Sequence, residues 1–189
     1  MPAPNNEQPV RHNLDDTQVR NVLVRSGLNP SALEPEDLVL PSTSRGYEIT
    51  NDIFVSHWIP AFQRDFLEAF NVKAIICLSG HHSHTLAEQL GVEKIFSISM
   101  PDGPGTTADM ILKYTEKLKE FIDNHGRTLV HCQAGQSRSP SIVAAYLVRY
   151  KDMALPEALR LVREARAPQR DVKYWPETLS AIREALNRL

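Results

Sequence analysis

An α/β fold, with a central and mainly parallel sheet flanked by helices, is predicted by three features of the chain. Short β-branched or apolar runs at Val72–Leu78, Lys94–Ser99 and Thr128–Cys132 have the length of buried strands. Segments with apolar residues every three or four positions lie between and after them. The two kinds alternate, and strand–helix–strand order is met most simply by parallel pairing with crossover helices. With 189 residues, 42% hydrophobic and 23% charged, the chain falls in the soluble globular class and away from the composition of disorder.

Taken in order, residues 1–13 are rich in Pro and Asn without apolar periodicity, which predicts a mobile tail. Asp16 to Ser26 reads as a short helix, capped by Asp15 or Asp16 and stopped by Gly27. Three prolines, at 30, 35 and 41, make Asn29 to Arg45 an extended arm. The compact part is expected from Tyr47 onward, so that 1–46 is an N-terminal extension and 47–189 the working domain. Tyr47–Ile49 and Ile53–Val55 flank Asn51-Asp52 as a tight hairpin. Met110, Ile111, Tyr114, Leu118, Phe121 and Ile122 form a helical stripe ending before Gly126. Pro140 stands where a helix tolerates proline, in the first turn of Ser139–Tyr150. Two further helices are expected around Pro156–Ala165 and Pro176–Leu186.

Charge and cysteine content narrow the function. A formal charge of -2 supplies no basic field for a nucleic-acid backbone. The longest strictly apolar run, Ile142 to Val148, is far short of the ~20 residues that span a bilayer, so no membrane partner is expected. The first ten residues lack the basic and apolar regions of a secretory signal. Two cysteines, Cys77 and Cys132, make no disulfide framework, and the expected location is the reducing cytoplasm.

Chemistry concentrates in His131-Cys132-Gln133-Ala134-Gly135-Gln136-Ser137-Arg138-Ser139-Pro140, where a strand closes and a helix opens. The short loop from Gln133 to Arg138 carries small residues, so its backbone N–H groups can point inward as an anion-binding nest. The helix entry adds partial positive charge at the same point. The planar guanidinium of Arg138 can grip two phosphate oxygens at once. Such surroundings also stabilise a thiolate, so Cys132 is expected to have a lowered pKa and to act as a nucleophile. The bland reading, a small buried core cysteine, does not explain the loop, the arginine and the helix entry together.

His-Cys-x-x-Gly-x-x-Arg-Ser resembles the signature of cysteine-dependent protein phosphatases, and His-Cys-x-Ala-Gly-x-Ser-Arg-Ser-Pro looks like the dual-specificity branch. The likeness runs on into Ile49–Ser56, similar to the opening strand pair, and Ala145-Tyr146-Leu147-Val148, similar to the helix after the signature. Ala158–Pro168 and Trp175–Leu186 are similar to the C-terminal end. Coverage is about Tyr47 to Leu189, and residues 1–46 resemble nothing identifiable.

The resemblance implies a general acid on a loop about thirty residues before the cysteine. Asp102 stands there, in Met100-Pro101-Asp102-Gly103-Pro104-Gly105, a loop whose glycines suit a swinging lid. Asp109 is the competitor, although Thr106-x-x-Asp109 looks like a helix-capping pair. By the same likeness Ser139 hydrogen-bonds the departing thiolate, the alternative being a helix cap. His131 is expected to orient the loop through hydrogen bonds. His81, His82 and His84 read either as solvated histidines or as substrate contacts. No metal is expected, because a third or fourth ligand at sensible spacing is not visible and the family's reaction uses none. Neither is a cofactor. Cys77 reads as a sheet-packing residue or as a redox partner for Cys132.

The implied reaction is phosphomonoester hydrolysis through a phosphocysteine, on phosphotyrosine, phosphoserine or phosphothreonine of proteins. Two different classes compete with it: a phosphate-recognition module without turnover, and sulfur transfer of the rhodanese kind. Neutral Gln133 and Gln136 disfavour a highly charged inositol lipid, while a sugar or nucleotide monoester stays open.

Overall fold

The computed structural model describes residues 47–82, 85–167 and 171–189. The expected tail, short helix and arm of residues 1–46 lie outside the described residues, as does His84.

Five strands form one sheet: β1 (Glu48–Thr50), β2 (Ile53–Ser56), β3 (Ala74–Cys77), β4 (Lys94–Ser97) and β5 (Thr128–His131). Their order is β1-β2-β5-β3-β4, antiparallel only between β1 and β2 and parallel elsewhere. The hairpin expected at Asn51-Asp52 joins the antiparallel pair, with Glu48 opposite Phe54 and Thr50 opposite Ile53. Parallel strands need long crossovers, and helices supply them. The crossovers hold α1 (Arg64–Ala69), α2 (Ala87–Leu90) and α3 (Ala108–His125), while α4 (Arg138–Lys151), α5 (Leu155–Arg166) and α6 (Pro176–Leu186) follow the last strand.

The two faces of the sheet are covered unequally. Alternation along the strands sends Ile53, Val55, Ala74, Ile76 and Val130 to one side. There they join the apolar stripes of α3 to α6, among them Leu118, Ile142, Val162 and Ile182, in one continuous core. Each such aliphatic side chain taken from water contributes roughly 1.5–3 kcal/mol. The other face carries Phe54, Ile75, Cys77, Leu129 and His131, covered by shorter elements. Phe54 lies 5.9 Å from Phe70, and Phe62 of a short 3-10 turn stacks on His82 at 3.9 Å.

Long periodic elements match their expected bounds within a few residues, while α1 and α2 were not anticipated. They hold 6 and 4 residues, too few for helical periodicity to register. α2 is closed by Gly91 in the left-handed conformation, a helix stop that a glycine tolerates without strain. At the start of α3 the capping residue is Thr107, whose hydroxyl accepts from the Met110 amide at 3.3 Å. The expected pairing of Thr106 with Asp109 is corrected: Thr106 instead bonds back to the preceding loop, its hydroxyl 3.4 Å from the Pro101 carbonyl.

Candidate active site

The carboxyl ends of β5 and β4, joined by the N-terminus of α4, meet at one rim, where ligands bind in open α/β sheets. Cys132 follows β5 directly and is buried in the core on the helical side. From there the loop to Arg138 is held by its carbonyls. Cys132 O accepts from His131 Nδ1 at 3.2 Å and Gln133 O from the Trp58 amide at 3.2 Å. Gly135 O accepts from Arg166 Nε at 3.4 Å, Gln136 O from the Lys173 amide at 2.8 Å and Ser137 O from the Ser141 amide at 2.9 Å. The amides of residues 133–137 have no acceptor among the described residues. Anchored carbonyls with unused amides are the arrangement of an anion-binding nest.

Gly135 makes this path possible. Its φ is +66°, and a Cβ there would lie 2.7 Å from the Ser56 carbonyl carbon and the His57 amide. No L side chain fits against backbone at that range.

α4 begins at Arg138, with Ser137 in the capping position and making no side-chain cap bond. Ser139 therefore lies inside the first turn, and its hydroxyl donates to Cys132 Sγ at 3.3 Å. The capping alternative for Ser139 is overturned. Arg138 Nη1 reaches the carbonyls of Leu78 and Met100 at 3.4 and 3.3 Å. Its Nε stands 3.6 Å from Asp102 Oδ2. The two aspartates thereby separate: Asp102 faces the arginine of the loop, whereas Asp109 pairs with Arg188 at 2.7 Å. The Asp102 loop is braced by Thr106, whose amide donates to Gly103 O at 3.1 Å. Trp175 lies against it so closely that a Cβ on Gly103 would fall 2.9 Å from the indole.

On the opposite face of β5 stand the other sequence-predicted residues. His131 is fully buried, with Cys77 as its register partner on β3. Cys77 and His131 share a face, and Cys132, one step on, belongs to the other. No disulfide joins the two cysteines, and Cys132 belongs to the helical-side core whereas Cys77 packs on the other face with His131. Burial pushes the Cys77 thiol up, but the His131 imidazole and the Ser79 amide outweigh it, leaving the pKa at about 5. His82 is corrected from a solvated residue to a buried one, stacked on Phe62, with its pKa lowered by burial to about 2. His81 is half-buried against Trp58, ring centroids 5.5 Å apart. Burial, then His131 and Arg138, lower its pKa to about 4, so at neutral pH it offers a neutral ring rather than a cation.

Three supports of the loop were not anticipated. Arg166 is fully buried, with its guanidinium 5.3 Å from the Tyr47 ring. The signal for it was present: Ala158, Val162 and Arg166 fall on one face of α5, so an arginine occupies an apolar stripe. The backbone amides of Trp58 and Lys173 left no comparable trace, because main-chain contacts carry no residue-type signature.

Residues 53–180 match the family model described as dual specificity phosphatase, catalytic domain. The chain is 28% identical over 130 residues to dual specificity protein phosphatase 18 of Homo sapiens, covering 68% of each chain. It is 28% identical over 143 residues to dual specificity protein phosphatase 14 of Homo sapiens, covering 75% of this chain and 71% of that one. Among solved structures, human DUSP28 superimposes with a TM-score of 0.64 at 19% identity, over 75% of this chain and 95% of that one. PTPMT1, crystallised in complex with PI(5)P, superimposes with a TM-score of 0.61 at 21% identity, over 75% and 94%. Loop, sheet order and family match agree, and the chain belongs to the dual specificity phosphatases.

Proposed function

We propose that this chain hydrolyses phosphate monoesters of tyrosine, and of serine or threonine, on protein substrates through a phosphocysteine at Cys132. The observation that carries the reading is the loop itself, whose carbonyls are anchored outward and whose amides remain unused around one buried thiol. Cys132 Sγ attacks phosphorus as the ester P–O bond breaks, and Asp102 delivers a proton to the departing oxygen. Arg138 and the loop amides stabilise charge on the equatorial oxygens. Asp102, now a carboxylate, takes a proton from water as that water attacks the phosphocysteine and releases phosphate. The Ser139 hydroxyl, 3.3 Å from the sulfur, supports the thiolate as it leaves.

The catalytic unit proposed is 47–189, which encloses the matched residues 53–180. A reducing cytoplasmic setting suits a reaction that requires Cys132 as a free thiol. Neutral Gln133 and Gln136 favour a singly phosphorylated side chain over the inositol lipid bound by PTPMT1. The test is a panel of phosphopeptides, phosphoinositides and sugar and nucleotide monoesters, with Cys132→Ser protein as the blank. Turnover is expected with phosphopeptides. Faster turnover of a lipid, sugar or nucleotide would displace the substrate assignment. Tight oxyanion binding without turnover of any of them would make the chain a recognition module.

A further inference from the structure

We infer that Cys77, His81 and His131 form a zinc-binding site on the sheet face opposite the catalytic thiol. One ligand atom from each, the Cys77 sulfur and a ring nitrogen of either histidine, lies within 4.8 Å of the other two. Around tetrahedral zinc, with bonds of about 2.0–2.3 Å, neighbouring ligands stand roughly 3.3–3.7 Å apart. Side-chain adjustments of roughly an ångström therefore bring all three onto one ion. Sulfur and imidazole nitrogen, with no carboxylate among them, select zinc over magnesium or calcium.

The frame is already built. Cys77 and His131 are register partners at the ends of adjacent parallel strands, so the sheet fixes their spacing. Metal-bound histidines commonly engage the outer ring nitrogen with a backbone carbonyl or similar partner. His131 Nδ1 lies 3.2 Å from Cys132 O, and Ser79 Oγ lies 2.8 Å from His81 Nδ1 and 3.7 Å from Cys77 Sγ, so one hydroxyl links two of the ligands. The remaining nitrogen of His131, Nε2, is fully buried and makes no hydrogen bond of ordinary length among the described residues. Beside it stands His82, its ring 5.0 Å from that of His131, with both nitrogens buried and without a hydrogen-bond partner among the described residues. Buried polar atoms without partners are costly, and a cation at this point resolves the His131 deficit. On binding, the thiol proton passes to solvent and the sulfur binds as thiolate. Histidines at 81, 82 and 84 alone offered no complete ligand set. The missing donors come from Cys77 and from His131, about fifty residues away in sequence.

The site is separable from the phosphatase reading by working in a Cys132→Ser background, where Cys77 is the remaining cysteine of the chain's two. Zinc affinity is measured on this protein by competition with a chromogenic chelator. Cobalt(II) is then substituted to read the thiolate-to-metal charge-transfer band. One equivalent of zinc and a charge-transfer band are expected. Adding Cys77→Ser should abolish the band, and adding His81→Ala, at a half-buried position with little risk to folding, should weaken zinc binding by more than about 100-fold. That figure is set by outer partners alone being worth 10–100-fold. Absence of zinc binding in the Cys132→Ser protein, or binding that His81→Ala leaves unchanged, overturns the site.

Discussion

Cys77 and Cys132 are both buried thiols at the carboxyl ends of adjacent parallel strands, one residue out of register. That single step sends them to opposite faces. Cys132 enters a loop whose backbone amides are unspent, beside Arg138 and the Ser139 hydroxyl. Cys77 enters a layer of rings, with His131 across the sheet and His81 above. Burial does not distinguish the two. The surroundings do, by offering an oxyanion site to one thiol and nitrogen donors to the other.

The largest effect separates them directly. Cys132→Ser is expected to abolish hydrolysis of an aryl phosphate while leaving a folded protein that binds tungstate, whereas Cys77→Ser should retain measurable turnover. Comparable losses in both, assayed side by side, would erase the distinction. Next comes Gly135→Ala. A methyl group 2.7 Å from backbone atoms of Ser56 and His57 must reshape the loop, so oxyanion binding should disappear by calorimetry while far-ultraviolet dichroism stays native. Retained oxyanion affinity would mean that the loop path is not what binds.

Asp102→Asn should lower turnover of phosphotyrosine peptides by about 10²–10⁴, the usual worth of a general acid. Its effect should be much smaller on esters with activated leaving groups, which depart without a proton. Asp109→Asn, tied to Arg188 at the α3 end, should change either rate little. A reversed order would move the acid to Asp109. The smallest effect is expected at Trp175, whose indole packs on Gly103 next to the acid. Trp175→Ala should reduce turnover of phosphotyrosine peptides by roughly tenfold through a looser acid loop and leave activated esters nearly untouched. Equal loss on both would assign the tryptophan to substrate binding instead.

What could be read from the sequence depended on how local its signal was. The signature from His131 to Pro140 is contiguous, and strand, loop and helix entry all lie within it. The long helices announced themselves through periodicity, as at Met110 to Ile122. Short α1 and α2 gave no such period, and the loop's outer supports come from segments far along the chain. Arg166 reaches Gly135 across 31 positions, and Trp58 reaches Gln133 through main-chain atoms alone. Register was illegible for the same reason. Whether Cys77 shares the face of His131 or of Cys132 depends on one residue of strand alignment, which the apolar run Val72–Leu78 leaves undetermined.

Every step proposed at this site depends on Cys132 as the covalent nucleophile. Rapid acid quench of the enzyme with an aryl phosphate, followed by peptide mass spectrometry, tests it most directly. One phosphoryl group is expected on the peptide carrying Cys132, formed in a burst and missing from Cys132→Ser protein. Phosphate on any other residue, or undiminished turnover by Cys132→Ser, would contradict it.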